Sequence, residues 1–195
     1  MIIGSRSAFL LVDPQRDFFS GGAFPLVGAD ALVEVWNRYL GRFSQPRLPI
    51  FVSRYDLSPG SKRFISNGGK WPPHCLRGTQ GAQFHSGLKF QITAYAIRVI
   101  SKETDSAFQG KHESGKDLLT LLKEEEIKEV FIAGIGTESG VKASALDAKR
   151  AGFDVFVALD GICGLSQNAA DSQAAVEEMK KEGVIPYLWQ GPAPT

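Results

Sequence analysis

Continuous apolar runs constrain this chain more than any other feature. Ala8–Val12, Pro49–Ser53, Ile97–Ser101, Val130–Ile135 and Val155–Leu159 are short and mostly apolar, without the polar alternation of a half-exposed strand. A strand that is apolar on successive residues has to be covered on both faces. Between these runs lie segments of helical period. Asp30–Phe43 puts Leu32, Val35, Trp36, Tyr39 and Leu40 on one face, and Lys116–Glu126 turns Leu118, Leu119, Leu121 and Leu122 inward. Thr137–Ala151 opens on cap-type residues and stops at Gly152, and Asp171–Glu182 stops at Gly183. Ile185–Leu188 supplies a last strand. The alternation predicts an α/β fold: a doubly wound, mainly parallel six-stranded sheet with helices on both faces. A single domain over residues 1–190 is expected, followed by a frayed tail, 191–195.

Composition narrows the function classes. With 195 residues, the chain can bury a core without metals or disulfides. Its 22 basic and 21 acidic side chains leave a net charge of +1, which argues against a nucleic-acid partner. The only cysteines, Cys75 and Cys163, are too few for a disulfide scaffold and suit a reducing compartment. The N-terminal apolar run is too short for a signal peptide, and no segment approaches the ~20 apolar residues of a membrane span. A cytoplasmic protein without a membrane partner is the expectation.

In an open parallel sheet, ligands bind beyond the carboxyl ends of the strands. Asp13, Lys102 and the stretch Gly136–Gly140 each follow such an end. Residues 54 to 94 form a loop rich in Gly, Pro, Ser and Asn, and loops this long in compact domains are usually functional. Spacing alone leaves a structural account equally open. Asp13 could cap a turn, Lys102 could be a solvated edge residue, and the glycines could be turn formers.

The motifs themselves decide for function. Asp13-Pro14-Gln15-Arg16-Asp17-Phe18 resembles the opening motif of nicotinamidase/pyrazinamidase and isochorismatase-like hydrolases. Trp71-Pro72-Pro73-His74-Cys75 and Gly78–His85 are similar to the nicotinamidase loop, and Lys102 with Ser106-Ala107-Phe108 matches the stretch bearing the family's catalytic lysine. Ala133–Lys142 is in register with the nucleophile segment, and Glu177-Glu178-Met179 with the final helix. The resemblance spans nearly the whole chain and implies the isochorismatase-like hydrolase fold. It also implies a small-molecule substrate as partner, and homo-oligomers are common in the family.

Two departures follow from the same register. Gly140 stands where the amidases carry their nucleophilic cysteine. The resemblance makes Cys75 a non-catalytic loop cysteine, and Cys163, after the fifth strand, is expected to be inert too. Ser139 is one residue out of phase and a poor substitute. The family also binds one divalent ion, such as zinc, through an aspartate and histidines. Here Asp56 and His74 remain as candidate ligands, while Ser58 or Lys62 stands where further histidines are expected. A degraded site without metal or other cofactor is the reading.

The resemblance assigns Asp13, Lys102 and the Gly140 position to catalysis. The oxyanion hole falls to the backbone N–H groups of Gly136 and Gly140, after an Ile135–Gly136 cis bond. Phe18, Trp71 and Ile135 would contact a planar substrate. Isochorismatases, which hydrolyse a vinyl ether with an aspartate as general acid, commonly have glycine at this position. The expected function is therefore hydrolysis of a small planar amide or vinyl ether by Asp13 and Lys102 without a cysteine. The alternatives are a catalytically inactive relative that binds an aromatic ligand or a partner, and a nicotinamidase with an engineered cysteine-to-glycine change.

Overall fold

The computed structural model describes residues 3–90 and 97–188. The expected tail, 191–195, lies outside them. Strands β1 (Ser7–Val12), β2 (Ile50–Tyr55), β3 (Ile97–Lys102), β4 (Glu129–Ile135), β5 (Asp154–Cys163) and β6 (Ile185–Tyr187) form one six-stranded sheet in the order β3-β2-β1-β4-β5-β6. Every pairing is parallel. The chain winds outward from β1 to β3, then returns to place β4 on the other side of β1. That reversal opens a crevice at the carboxyl ends of β1 and β4, the usual place for a ligand in such sheets.

Helix α1 (Ala29–Ser44) covers one face, and α2 (Leu118–Glu124), α3 (Lys142–Arg150) and α4 (Ala169–Lys181) cover the other. The two-sided burial explains the continuous apolar runs. Phe9 and Leu11 of β1 pack with Trp36, Tyr39 and Phe43 of α1, while Ala8, Leu10 and Val12 pack with Leu118, Leu122, Ala145 and Met179. Successive strand residues point to opposite faces, and each finds its own core.

Boundaries differ where tertiary contacts override local pattern. Asp117 caps α2 by accepting from the Thr120 N–H at 2.8 Å, so the helix starts at Leu118 rather than Lys116. β5 runs on to Cys163 instead of stopping at Leu159, with a register shift against β4 between Ile132 and Gly134. Cys163 is thus the end of that strand. The single helix expected over Thr137–Ala151 opens with a π-helical turn, Thr137–Val141.

Residues 56–90 form an irregular layer tied to the end of β1. Gln15, fully buried, accepts from the Tyr55 N–H at 2.7 Å and donates to the Tyr55 and Ala82 carbonyls at 2.8 and 2.9 Å. Asp17 accepts from the Cys75 N–H at 2.7 Å and the Ala23 N–H at 3.0 Å. These side chains replace the hydrogen bonds that a regular element would have supplied.

Candidate active site

Asp13 sits at the end of β1 with φ at 49°, a left-handed conformation that aspartate tolerates better than most residues. Its Oδ1 accepts from Ser53 Oγ at 2.7 Å, and its Oδ2 accepts from Lys102 Nζ at 2.7 Å. Lys102 reaches it from β3 by crossing β2. On the way its ammonium lies 3.5 Å from the centre of the Tyr55 ring, and it also donates to the Thr104 carbonyl at 3.1 Å. Both charged side chains are fully removed from solvent. Burial pushes the Asp13 carboxyl above its ordinary range even against the pull of Lys102, and burial draws the Lys102 ammonium down. Both shifts narrow the gap between the charged and the neutral form of the pair.

The β4 end closes on this pair. A side-chain carbon at Gly140 would lie 3.2 Å from Asp13 Oδ2, 3.2 Å from the Ile135 carbonyl and 3.0 Å from Val12 Cγ1. The 140 position therefore faces the Asp13 carboxylate, and Gly140 leaves that place without a side chain. Gly136 has no room for one either, because a Cβ there would meet Ser139 Oγ at 2.2 Å and Leu165 Cγ at 2.7 Å. No peptide bond among the described residues is cis, so the Ile135–Gly136 bond is trans, contrary to expectation. Gly134, at φ 132°, takes a torsion that glycine reaches more easily than any other residue. Ser139 Oγ is buried without a hydrogen-bond partner, so no base activates it.

Aromatic rings form the next layer. The His74 ring is surrounded by Phe24 at 5.4 Å, Phe18 at 5.5 Å, Phe64 at 5.6 Å and Tyr55 at 5.9 Å between centroids. Phe18 is fully buried, Ile135 nearly so, and the half-buried Trp71 packs on Phe24 at 5.6 Å. Burial lowers the His74 pKa, so the ring is neutral at physiological pH. Cys75 is buried, and burial pushes its thiol well up; the Cys163 thiol is raised for the same reason. Neither is an activated nucleophile.

Residues that sequence reasoning missed complete the cluster. Arg63 Nη2 donates to Tyr55 Oη at 3.0 Å and pairs with Asp105, which also accepts from Tyr55 Oη at 2.8 Å. The Arg63 charge acts on both Asp13 and His74: it adds to the lowering that burial imposes on His74 and weakly opposes the rise that burial imposes on Asp13. Ser53 and Tyr55 were hidden in an apolar strand, although Ser53 was the one polar residue ending the run Pro49–Ser53. No sequence signal marked Arg63. Beside the pair, an open groove of about 630 Å³ is lined by Arg63, Thr104, Asp105 and Ser106 with Lys142 and Asp147 of α3.

The donor set does not fit a divalent ion. Asp56 is taken by Arg77, whose Nε donates to its carboxylate at 2.9 Å. His74 Nδ1 is bonded to the Pro72 carbonyl at 2.7 Å, which leaves only Nε2. Among the described residues no three His, Cys, Asp or Glu side chains are grouped to hold a metal. Lys62, one of the two residues standing where a further histidine was expected, carries positive charge, and the Arg63 charge acts on His74; charge of that sign opposes a cation.

Residues 7–190 match the Isochorismatase domain model. The chain is 33% identical over 181 residues to the nicotinamidase/pyrazinamidase of Mycobacterium tuberculosis, covering 91% of this chain and 96% of that protein. It is 30% identical over 200 residues to the nicotinamidase of Escherichia coli, covering 92% and 93%. Among solved structures, the pyrazinamidase of Pyrococcus horikoshii in complex with zinc superposes with a TM-score of 0.82 at 34% identity, over 94% of this chain and 99% of that one. An L. infantum protein solved in complex with nicotinate superposes with a TM-score of 0.83 at 27% identity, over 97% and 98%. No helix among the described residues is long and apolar enough to cross a membrane. Fold, motif order and relatives agree, and the chain belongs to the isochorismatase family of hydrolases.

Proposed function

We propose that this protein hydrolyses a small planar substrate, an amide or a vinyl ether, through Asp13 and Lys102 and without a cysteine nucleophile. The observation that carries the reading is the buried 2.7 Å contact between Asp13 and Lys102, facing a residue 140 that has no side chain. A carboxyl raised by burial can remain protonated and act as a general acid. With a vinyl ether, Asp13 gives its proton to the enol carbon, and positive charge develops on the carbon bearing the ether oxygen. Water adds there and loses a proton, and the hemiketal collapses with release of the alcohol. Lys102 stabilises the carboxylate left after transfer, and the proton lost by the added water returns Asp13 to its acid form. No covalent intermediate is required, so glycine at 140 is no obstacle.

With an amide, Asp13 would instead take a proton from the attacking water. The backbone N–H groups of Gly136 and Gly140 would then face the developing oxyanion. This route is slower without a nucleophile, because the covalent path divides one hard step into two easier ones. Phe18 and Trp71, flanking the His74 cluster, suit a flat ring, and Ile135 closes the floor beside Gly140. The relatives named for nicotinamide and pyrazinamide, and the nicotinate complex, support a ligand of that size.

Turnover of nicotinamide, pyrazinamide and isochorismate by the native protein and by Asp13→Ala tests the assignment. Activity that disappears in Asp13→Ala supports it. Ligand binding with no turnover of any of the three refutes it. That outcome would favour a non-catalytic binding protein, a reading to which the complete burial of the Asp13–Lys102 pair lends weight. Gly140→Cys reports separately on whether only the nucleophile is missing. Gain of amidase activity is then expected, since the new thiol would lie against Asp13.

A further inference from the structure

Lys102 is buried without a full set of oxygen partners. An ammonium has three N–H donors. Asp13 Oδ2 accepts one at 2.7 Å and the Thr104 carbonyl a second at 3.1 Å, and these are its hydrogen-bond acceptors among the described residues. The side chain is closed to solvent, so bulk water does not serve the third. A donor left bare in such a place is costly. Tyr55 lies against it instead, with Nζ 3.5 Å from the ring centre. So close an approach to the centre is possible only over the face of the ring.

Sheet register brings the two residues together. Tyr55 and Lys102 end β2 and β3 and are partners in the parallel pairing, so their side chains leave the sheet on the same face. The tyrosine is then held at both ends. Gln15 accepts from its N–H at 2.7 Å and donates to its carbonyl at 2.8 Å. Its hydroxyl donates to Asp105 at 2.8 Å and accepts from Arg63 Nη2 at 3.0 Å. Arg63 is a second cation near the ring, with Cζ 4.6 Å from its centre, but it has its own counter-charge in Asp105. Lys102 shares its one carboxylate with the chemistry.

We infer that Tyr55 is a positioning residue for the candidate site: its ring face, anchored by Gln15 on the main chain and by Asp105 and Arg63 at the hydroxyl, fixes the Lys102 ammonium against Asp13. A π face attracts a cation yet takes no proton from it. It fills the third direction of the ammonium without competing with Asp13, as a carboxylate at position 55 would. The catalytic consequence rests on the function proposed above. The placement of the ammonium does not.

The test is nuclear magnetic resonance of lysine-labelled protein, with the Lys102 signals assigned by their absence in Lys102→Met. Protons held over the face of an aromatic ring are shielded by its ring current. The Lys102 ammonium and adjacent methylene protons should therefore lie upfield of those of the other lysines. They should remain displaced in Tyr55→Phe, which keeps the ring, and return to the ordinary range in Tyr55→Leu. Cooperative urea unfolding checks that each variant is folded, and Tyr55→Met, nearer to tyrosine in volume, replaces Tyr55→Leu if the latter is not. With a substrate that the native protein turns over, kcat should fall at least about tenfold in the aliphatic variant and stay within about threefold in Tyr55→Phe, with KM changed less than about threefold in both. A purely structural role would lower stability and leave the lysine signals and kcat in place. Native Lys102 signals in the ordinary range, displacement that survives loss of the ring, or Tyr55→Phe as defective as the aliphatic variant would each overturn the inference. Absence of turnover with displaced native signals that respond to the ring as expected would refute the proposed function and leave the positioning of Lys102 standing.

Discussion

Replacing Lys102 by methionine removes the one ammonium that pairs with Asp13 and keeps nearly the same chain length. Both members of the pair are fully buried, so the variant leaves the carboxylate with Ser53 Oγ as its side-chain donor and the more distant Arg63 charge as its remaining electrostatic support. Breaking a buried pair from one side typically costs about 3–5 kcal/mol, against a total stability of about 5–15 kcal/mol for a domain. The contact of the ammonium with the Tyr55 ring is lost as well. Urea unfolding across a pH series measures the effect and supplies its own control. Asp13 has a folded-state pKa raised by burial, so its contribution is full below the unfolded value and is lost as pH rises through the folded one. Without Lys102 that pKa rises further. The deficit of the variant should therefore be largest near neutral pH and should narrow as acid protonates Asp13. A deficit below about 1 kcal/mol that does not vary with pH would show that the pair is solvated, and would undo the electrostatic argument for the site.

Other outcomes follow from the same geometry. If Asp13 works as a general acid, the rate should fall as pH rises through its raised pKa, and a rate that climbs over that range would assign it the role of base. Gly134→Ala forces a side chain to within 2.1 Å of the Val12 carbonyl at φ 132°, so a loss of about 2–6 kcal/mol in urea unfolding is expected. Asp17→Ala leaves the Cys75 and Ala23 N–H groups unpaired, which should cost about 2–4 kcal/mol and speed labelling of Cys75 by a thiol reagent. Unchanged labelling would mean that the loop is held by other contacts.

How much of this was legible in the chain differs by feature. The strands at Ser7–Val12 and Glu129–Ile135 were visible because burial on both faces demands apolar residues in succession, whatever their neighbours are. Asp13 and Lys102 were visible as polar residues at strand ends, and their motifs carried the family. Gly140 was equally plain as part of the glycine-bearing stretch that follows the fourth apolar run. By contrast, Arg63, Tyr55 and Asp105 lie in separate stretches of chain, so their ion pair and ring contacts had no local sign. Asp56 looked like a metal ligand until the fold paired it with Arg77. The trans Ile135–Gly136 bond was equally hidden, because glycine torsions permit several routes through one turn.

Sequence by itself thus determined the parallel α/β architecture, the order of its elements, and the placement of Asp13, Lys102 and Gly140 at strand ends. Those properties depend on residue type and local period, which are written into any short window. Tertiary structure alone decided which charges meet, which are stripped of water and which polar atoms are left without partners. Such properties depend on distances between segments tens of residues apart, as with Lys102 crossing the Tyr55 ring to reach Asp13. Desolvation and pairing exist only once the chain has folded, and they are what bring an aspartate and a lysine together where water is excluded.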